Sequence, residues 1–146
     1  MNVLAASAII RHRFVDELTL RIRKVSEGKY AGDISPADAW AKLQSDPDTV
    51  LVDVRTDAEW TYVGAPNLET IGKETVFAAW VNYPGGTKND EFIEQVKAAG
   101  IRKDQTVLCL CRSGQRSIAA AIALTEQGYD NAYNILEGFE GDKDAD

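Results

Sequence analysis

Two thiols and two guanidinium groups fall within one short stretch, Leu108-Cys109-Leu110-Cys111-Arg112-Ser113-Gly114-Gln115-Arg116-Ser117. Free cysteine ionises near pH 8.5, and the value falls to about 3.5 to 7.5 beside a helix N-terminus or a cationic side chain. Arg112 and Arg116 supply such cations. Each pKa unit of depression is worth about 1.36 kcal/mol in favour of the thiolate. Cys111 is therefore read as an activated nucleophile. Ser113, Gly114, Gln115 and Ser117 complete a loop whose backbone N–H groups would cradle an anion. The competing reading is an ordinary buried cysteine that ends a strand, and the flanking arginines and Gly114 weigh against it. Cys109 shares a side with Cys111 if the strand persists that far. A resolving role is conceivable for it; an inert thiol packed under the loop is the preferred reading.

Such a loop has to be held by regular structure on either side. Thr106 to Leu110 is too short and too apolar for a surface helix and reads as a buried parallel strand, while Ser117 to Gln127, closed by Gly128, reads as a helix. Cys111 then lies at the carboxyl end of a strand, the edge where open α/β sheets bind ligands. Upstream, Ser35-Pro36-Ala37-Asp38 offers an N-cap, a proline at the first helical position and an acid in the first turn. Ala37, Trp40, Ala41 and Leu43 are expected on the buried face of that helix. A strand over Val50 to Val54 follows, closed by Asp53 and Arg55, and Glu59 stands within reach of Arg55 for an ion pair. Val76 to Trp80 reads as a short strand and Asn82 to Gly86 as a loop over the site. Trp80 and Tyr83 are candidate pocket walls, with core or rim packing the preferred reading. A helix over Asp90 to Ala99 capped by Asn89, and a last strand over Ala132 to Ile135, complete the alternation. The pattern predicts an α/β protein with a parallel sheet and helices on both faces.

Cys111-Arg112-Ser113-Gly114-Gln115-Arg116-Ser117 resembles the active-site loop of rhodanese-like sulfurtransferases. Leu51-Val52-Asp53-Val54-Arg55 followed by Glu59-Trp60 is similar to that family's first strand and Asp-x-Arg signature, and Asn134-Ile135-Leu136-Glu137-Gly138-Phe139 to its closing strand and turn. The resemblance implies a rhodanese-like three-layer fold around a parallel sheet of about five strands. It divides the chain into an N-terminal extension, residues 1–29, and a rhodanese-like domain, residues 30–146. It also implies a persulfide on Cys111, a substrate-binding loop of Arg112, Ser113, Gly114, Gln115, Arg116 and Ser117, and support from Asp53, Arg55 and Glu59. The chain departs from the family at Tyr62 to Leu68, where no histidine stands, and after Phe139, where no tryptophan-containing helix follows.

Composition narrows the field. At 146 residues and 45% hydrophobic content the chain suits one domain with a sizeable core. A formal charge of −7 argues against nucleic acid or an anionic membrane as partner. Two cysteines this close cannot staple a fold or complete a zinc site, which fits a reducing, cytoplasmic setting and a catalytic role. No metal cluster or dinucleotide motif stands in the chain, so no cofactor is implied. The apolar start, Val3 to Ile10, precedes Arg11, His12 and Arg13, the wrong order for a secretory signal. Ile10, Phe14, Leu18 and Ile22 predict a helix in the extension, read as packing on its own domain or fraying rather than as a targeting or docking arm.

These features sort the function classes. Sulfur transfer needs a thiolate that attacks a sulfane sulfur in a cationic cradle, with a small sulfur-containing anion such as thiosulfate as donor and cyanide, a thiol or a protein as acceptor. Cysteine phosphatases place the arginine six residues after the cysteine, whereas Arg116 follows Cys111 by five. A hydrolase lacks its base, since His12 lies in the extension. A non-enzymatic sulfur-carrier or regulatory module of the same fold is the alternative.

Overall fold

The computed structural model of the chain describes residues 30–139. Strands β1 (Gly32–Ile34), β2 (Val50–Asp53), β3 (Val76–Phe77), β4 (Val107–Leu110) and β5 (Ala132–Ile135) alternate with helices α1 (Pro36–Ser45), α2 (Asp57–Tyr62), α3 (Phe92–Ala98) and α4 (Arg116–Glu126). A short 3-10 turn at Glu69–Ile71 precedes β3. The strands form one five-stranded sheet in the order β1-β5-β4-β2-β3, and every pairing is parallel. The predicted α/β architecture is the observed one.

The sheet is sandwiched because its central strands are apolar on both sides. Leu51, Leu108, Leu110 and Ile135 face Ala39 and Leu43 of α1. The intervening residues Val52, Val107, Cys109 and Ala132 face Phe92 and Val96 of α3 and Ala120, Ala121 and Leu124 of α4. This is the period-two alternation of a strand serving two cores at once. Cys111 belongs to the second of these clusters, on the side of α3 and α4.

Local chemistry sets the helix starts. Ser35 Oγ accepts the Asp38 N–H at 3.0 Å ahead of Pro36, as expected for α1. Its buried face is nevertheless Ala39 and Leu43, while Ala37, Trp40 and Ala41 are exposed. Helical phase, more than apolar type, selects that face: Ala39 and Leu43 lie one turn apart and share a stripe. Thr56 and Glu59 form a capping box at α2, with Thr56 Oγ1 accepting the Glu59 N–H and donating to Glu59 Oε1 at 3.2 Å.

Three expectations need correction. Glu27 to Asp33 reads in sequence as a linker, yet Gly32, Asp33 and Ile34 form edge strand β1 and pair with Tyr133, Asn134 and Ile135. The predicted strand from Val76 to Trp80 stops at Phe77, although Ala78 and Trp80 still donate to the carbonyls of Asp53 and Val54. Helix α3 begins at Phe92, because Asn89 makes a turn instead of a cap: its Oδ1 accepts the Glu91 N–H, and its Nδ2 donates to Ala79 O and Gln95 Oε1. The helix expected around Ile10 to Ile22 lies outside the described residues. Among the described residues, no helix is long and apolar enough to cross a membrane.

Candidate active site

β4 ends at Leu110, and Cys111 is the next residue, only 1% exposed. The loop returns on it: the Gly114 N–H donates to Sγ at 3.0 Å, and Ser117 Oγ lies 3.1 Å from the sulfur. Gly114 holds φ +96°, a conformation that lets the backbone fold under the thiol without a Cβ penalty. Helix α4 starts without a side-chain cap, so the N–H groups at its entrance remain available to the site. Burial pushes the Cys111 thiol up, but the side-chain contact with Ser117 and the N–H groups of Ser117, Ser113 and Gly114 outweigh it, and the pKa falls below the ordinary value. Cys109 has no such donors and is fully buried. Burial, with Cys111 nearby, pushes its thiol up to about 12.

The two loop arginines separate. Arg116 Nη1 and Nη2 donate to Glu59 Oε1 and Oε2 at 2.6 and 3.0 Å, tying α4 to α2. Glu59 therefore partners Arg116, not the expected Arg55. Burial raises the Glu59 carboxyl, but the Arg116 guanidinium and Thr56 hold it below the usual range. The Glu59 contact in turn raises Arg116, and a thiolate at Cys111 adds to the effect. Arg112 is exposed at the loop tip, beside a cleft of ≈480 Å³ lined also by Tyr62, Val63, Tyr83 and Phe139. Cys111 is not one of this cleft's wall residues, although its neighbour Arg112 is. Tyr83 takes the candidate wall position, whereas Trp80 turns inward and meets Phe92 edge-on at 5.3 Å, the core packing preferred from the sequence. Ser113 and Gln115 are exposed; Gly114 and Ser117 are buried.

Asp53 and Arg55 are 0% and 1% exposed. Arg55 Nε donates to Asp53 Oδ1 at 3.0 Å and Nη2 to Oδ2 at 2.7 Å, while Nη2 also reaches Gly64 O at 2.8 Å. The guanidinium carbon sits 4.0 Å from the centre of the Phe139 ring. One buried pair thus fastens the end of β2, the turn after α2 and the last turn of the described chain. That last turn closes on the active loop, since the Phe139 N–H donates to Cys111 O at 2.7 Å. A Cβ on Gly138, at φ +63°, would stand 2.6 Å from the Arg112 carbonyl carbon, so only glycine fits.

The residues that sequence reasoning missed lie behind the thiol. Asn134, 1% exposed on β5, accepts a hydrogen bond from the Ser117 hydroxyl at 2.5 Å and donates to Asp33 of β1 at 3.0 Å. An amide inside a strand that is otherwise mostly apolar was the available signal. Among the described residues, no group of three or more His, Cys, Asp or Glu side chains could hold a metal ion.

A thiol held by loop N–H groups at the end of a parallel strand, with cations around it, is the arrangement of a rhodanese-type site. Comparison with known proteins agrees. The family model described as the STR4 middle domain matches residues 31–145. The crystal structure of Rv0390 from M. tuberculosis is similar with a TM-score of 0.70 and 48% identity, covering 80% of this chain and 85% of that one. The Rickettsia conorii uncharacterized protein RC0915 is 38% identical over 75% of this chain and 84% of its own length. The thiosulfate sulfurtransferase GlpE of Actinobacillus succinogenes is 30% identical over 75% of this chain and 81% of its own. The chain belongs to the rhodanese-like domain proteins, as a member of the STR4 middle-domain family.

Proposed function

We propose that the protein is a sulfurtransferase that carries sulfane sulfur as a persulfide on Cys111, in a reducing, cytoplasmic setting. The observation that carries this reading is the thiol's contradiction: Cys111 is nearly fully buried, yet its hydrogen bonds favour the anion. A structural cysteine has no use for such a donor set. Similarity to a thiosulfate sulfurtransferase supports the choice of chemistry.

In the proposed reaction the Cys111 thiolate attacks the outer sulfur of thiosulfate. The S–S bond of the donor breaks, and sulfite leaves with its electron pair. The terminal sulfur remains on Cys111 as an anionic persulfide, stabilised by the loop N–H groups that held the thiolate. A second nucleophile, cyanide or a thiolate, attacks that sulfur and leaves with it as thiocyanate or a new persulfide, returning the Cys111 thiolate. Arg112, beside the cleft, meets the incoming anion. Arg116, anchored by Glu59, holds the loop and adds positive potential, and Ser113, Gly114, Gln115 and Ser117 shape the cradle. Asp53 and Arg55 brace it.

The test is intact-mass and peptide mass spectrometry after thiosulfate treatment, followed by cyanide. One added sulfur on the Cys111 peptide, discharged by cyanide over repeated turnovers, is expected. No added sulfur would exclude the reading, and sulfur retained without turnover would leave the carrier module in its place.

A further inference from the structure

A chain of hydrogen bonds runs from the thiol to the edge of the sheet. Ser117 Oγ lies 3.1 Å from Cys111 Sγ and 2.5 Å from Asn134 Oδ1. Asn134 Nδ2 donates to Asp33 Oδ1 at 3.0 Å, and the Tyr30 hydroxyl donates to the same oxygen at 2.7 Å. Ser117 and Asn134 are 0% and 1% exposed, while Asp33 is exposed on β1. The strand register places Asn134 between Asp33 on one side and Cys109 on the other.

The chemistry of these groups gives the chain a direction. An ionised carboxylate only accepts hydrogen bonds, so Asp33 requires the NH₂ end of the Asn134 amide and turns Oδ1 toward Ser117. A hydroxyl has one proton to give. Given to Asn134 Oδ1, it leaves only a lone pair for the sulfur, which suits a neutral thiol donating S–H to Oγ. A thiolate needs the Ser117 proton for itself, and taking it leaves a buried amide oxygen without a donor.

We propose that Asp33 is a positioning residue for the nucleophile: through the amide of Asn134 it sets the direction of the Ser117 hydroxyl and so moderates ionisation of Cys111. The loop N–H groups favour the thiolate, and this relay opposes them from behind. Ionisation breaks only the S–H bond, and the proton leaves to bulk water. The inference deepens the sulfur-transfer reading, on which its bearing on turnover rests.

The other titratable or charged groups around the thiol are Arg112 in the loop, Arg116 on α4 with Glu59 of α2 behind it, Asp53 and Arg55 at the end of β2, and Cys109 on β4. Tyr30 faces Asp33. All of them stay in place in the experiment.

The experiment follows thiolate absorbance of the full-length protein against pH, taken as the difference from Cys111→Ser, so that ionisation is read without sulfur transfer. With Asp33 replaced by the isosteric, exposed Asp33→Asn, the Asn134 amide is free to turn, and the Cys111 pKa should fall by about half to one unit. In a Ser117→Ala background, checked for folding by circular dichroism, the same substitution should produce no shift, because the relay is cut. Asn134→Leu gives a second background with the same expectation should Ser117→Ala not fold. An equal shift in the cut backgrounds would reveal a through-space charge effect and overturn the relay, as would no shift in Asp33→Asn alone. Persulfide formation can fail while this titration succeeds, and the reverse, so the two readings are tested apart.

Discussion

Cys109 and Cys111 leave the same strand toward the same core, and both are almost completely buried. Their thiols are nevertheless driven in opposite directions, Cys109 up to about 12 and Cys111 below its ordinary value. Burial alone acts on both and raises both. The difference is that Cys109 sits inside the ladder, where its neighbours' N–H groups are committed to other strands, whereas Cys111 sits one residue past the ladder, where the loop and the start of α4 turn theirs toward it. The position relative to the strand end, more than exposure, decides which thiol is drawn toward its anion.

The most severe way to break this comparison is to exchange the thiols' fates. Cys111→Ser should abolish sulfur uptake and turnover, while Cys109→Ser retains both, as read by mass spectrometry and thiocyanate production. Equal loss with unchanged circular dichroism would show that the two thiols share the work.

A second substitution attacks the loop and spares the ladder. Gly138→Ala forces a Cβ into the Cys111–Arg112 backbone at positive φ, and strain of this kind costs about 1–3 kcal/mol or more. The loop should yield, moving N–H groups off the sulfur. The expected result is a thermal midpoint lower by several degrees, turnover down by about tenfold or more, and a Cys111 pKa raised toward the free value. An unchanged thiol titration in this variant would mean that the loop N–H groups are not what lowers it.

A third separates fixed dipoles from charge. Glu59→Gln leaves Arg116 without its partner carboxylate, with the pair's side chains 25% and 22% exposed. Stability should fall by about 1 kcal/mol in denaturant melts. The thiol pKa should fall slightly or stay, because an uncompensated guanidinium favours the thiolate. A rise would show that Arg116 acts by holding the loop N–H groups in place.

The last is a pH signature. Cys109 is raised in the folded state, so its contribution is fully present below the unfolded value near 8.5 and is lost as pH rises toward about 12. Cys111 is depressed, so its contribution is present above the unfolded value and is lost as pH falls through the folded one. Cys109→Ala should therefore flatten the alkaline loss of stability between pH 8 and 10 relative to the parent chain, in chemical melts at a series of pH values. An identical slope in both proteins would remove burial as the cause of the Cys109 shift.

Much of this could be read before the structure. β2, β4, β5, α1 and α4 announced themselves through apolar runs, a serine–proline cap and an alanine-rich helix, because central strands and capped helices obey local rules. Cys111 was legible for the same reason, since its loop is contiguous. The partners of that loop were not. Glu59 lies 57 residues from Arg116 in the chain, and Asn134 lies 17 from Ser117; proximity of this kind is created by the sheet order and leaves no periodic trace. β1 was missed because three residues are too few to show alternation and its pairing partner is the last strand. The capping box at Thr56 and Glu59 was in plain view, and recognising it would have placed Glu59 on α2, away from Arg55.

The turn at Glu137 to Phe139, which closes on the Cys111 loop, has a consequence in time. A ribosome delivers Cys111 before Asn134, Gly138 and Phe139, and so before β5, the strand that pairs with β4. Until those last residues are released, the loop lacks the Phe139 clamp on its backbone and the Asn134 contact on Ser117. In the growing polypeptide the Cys111 thiol therefore precedes the contacts that hold its loop in the finished fold.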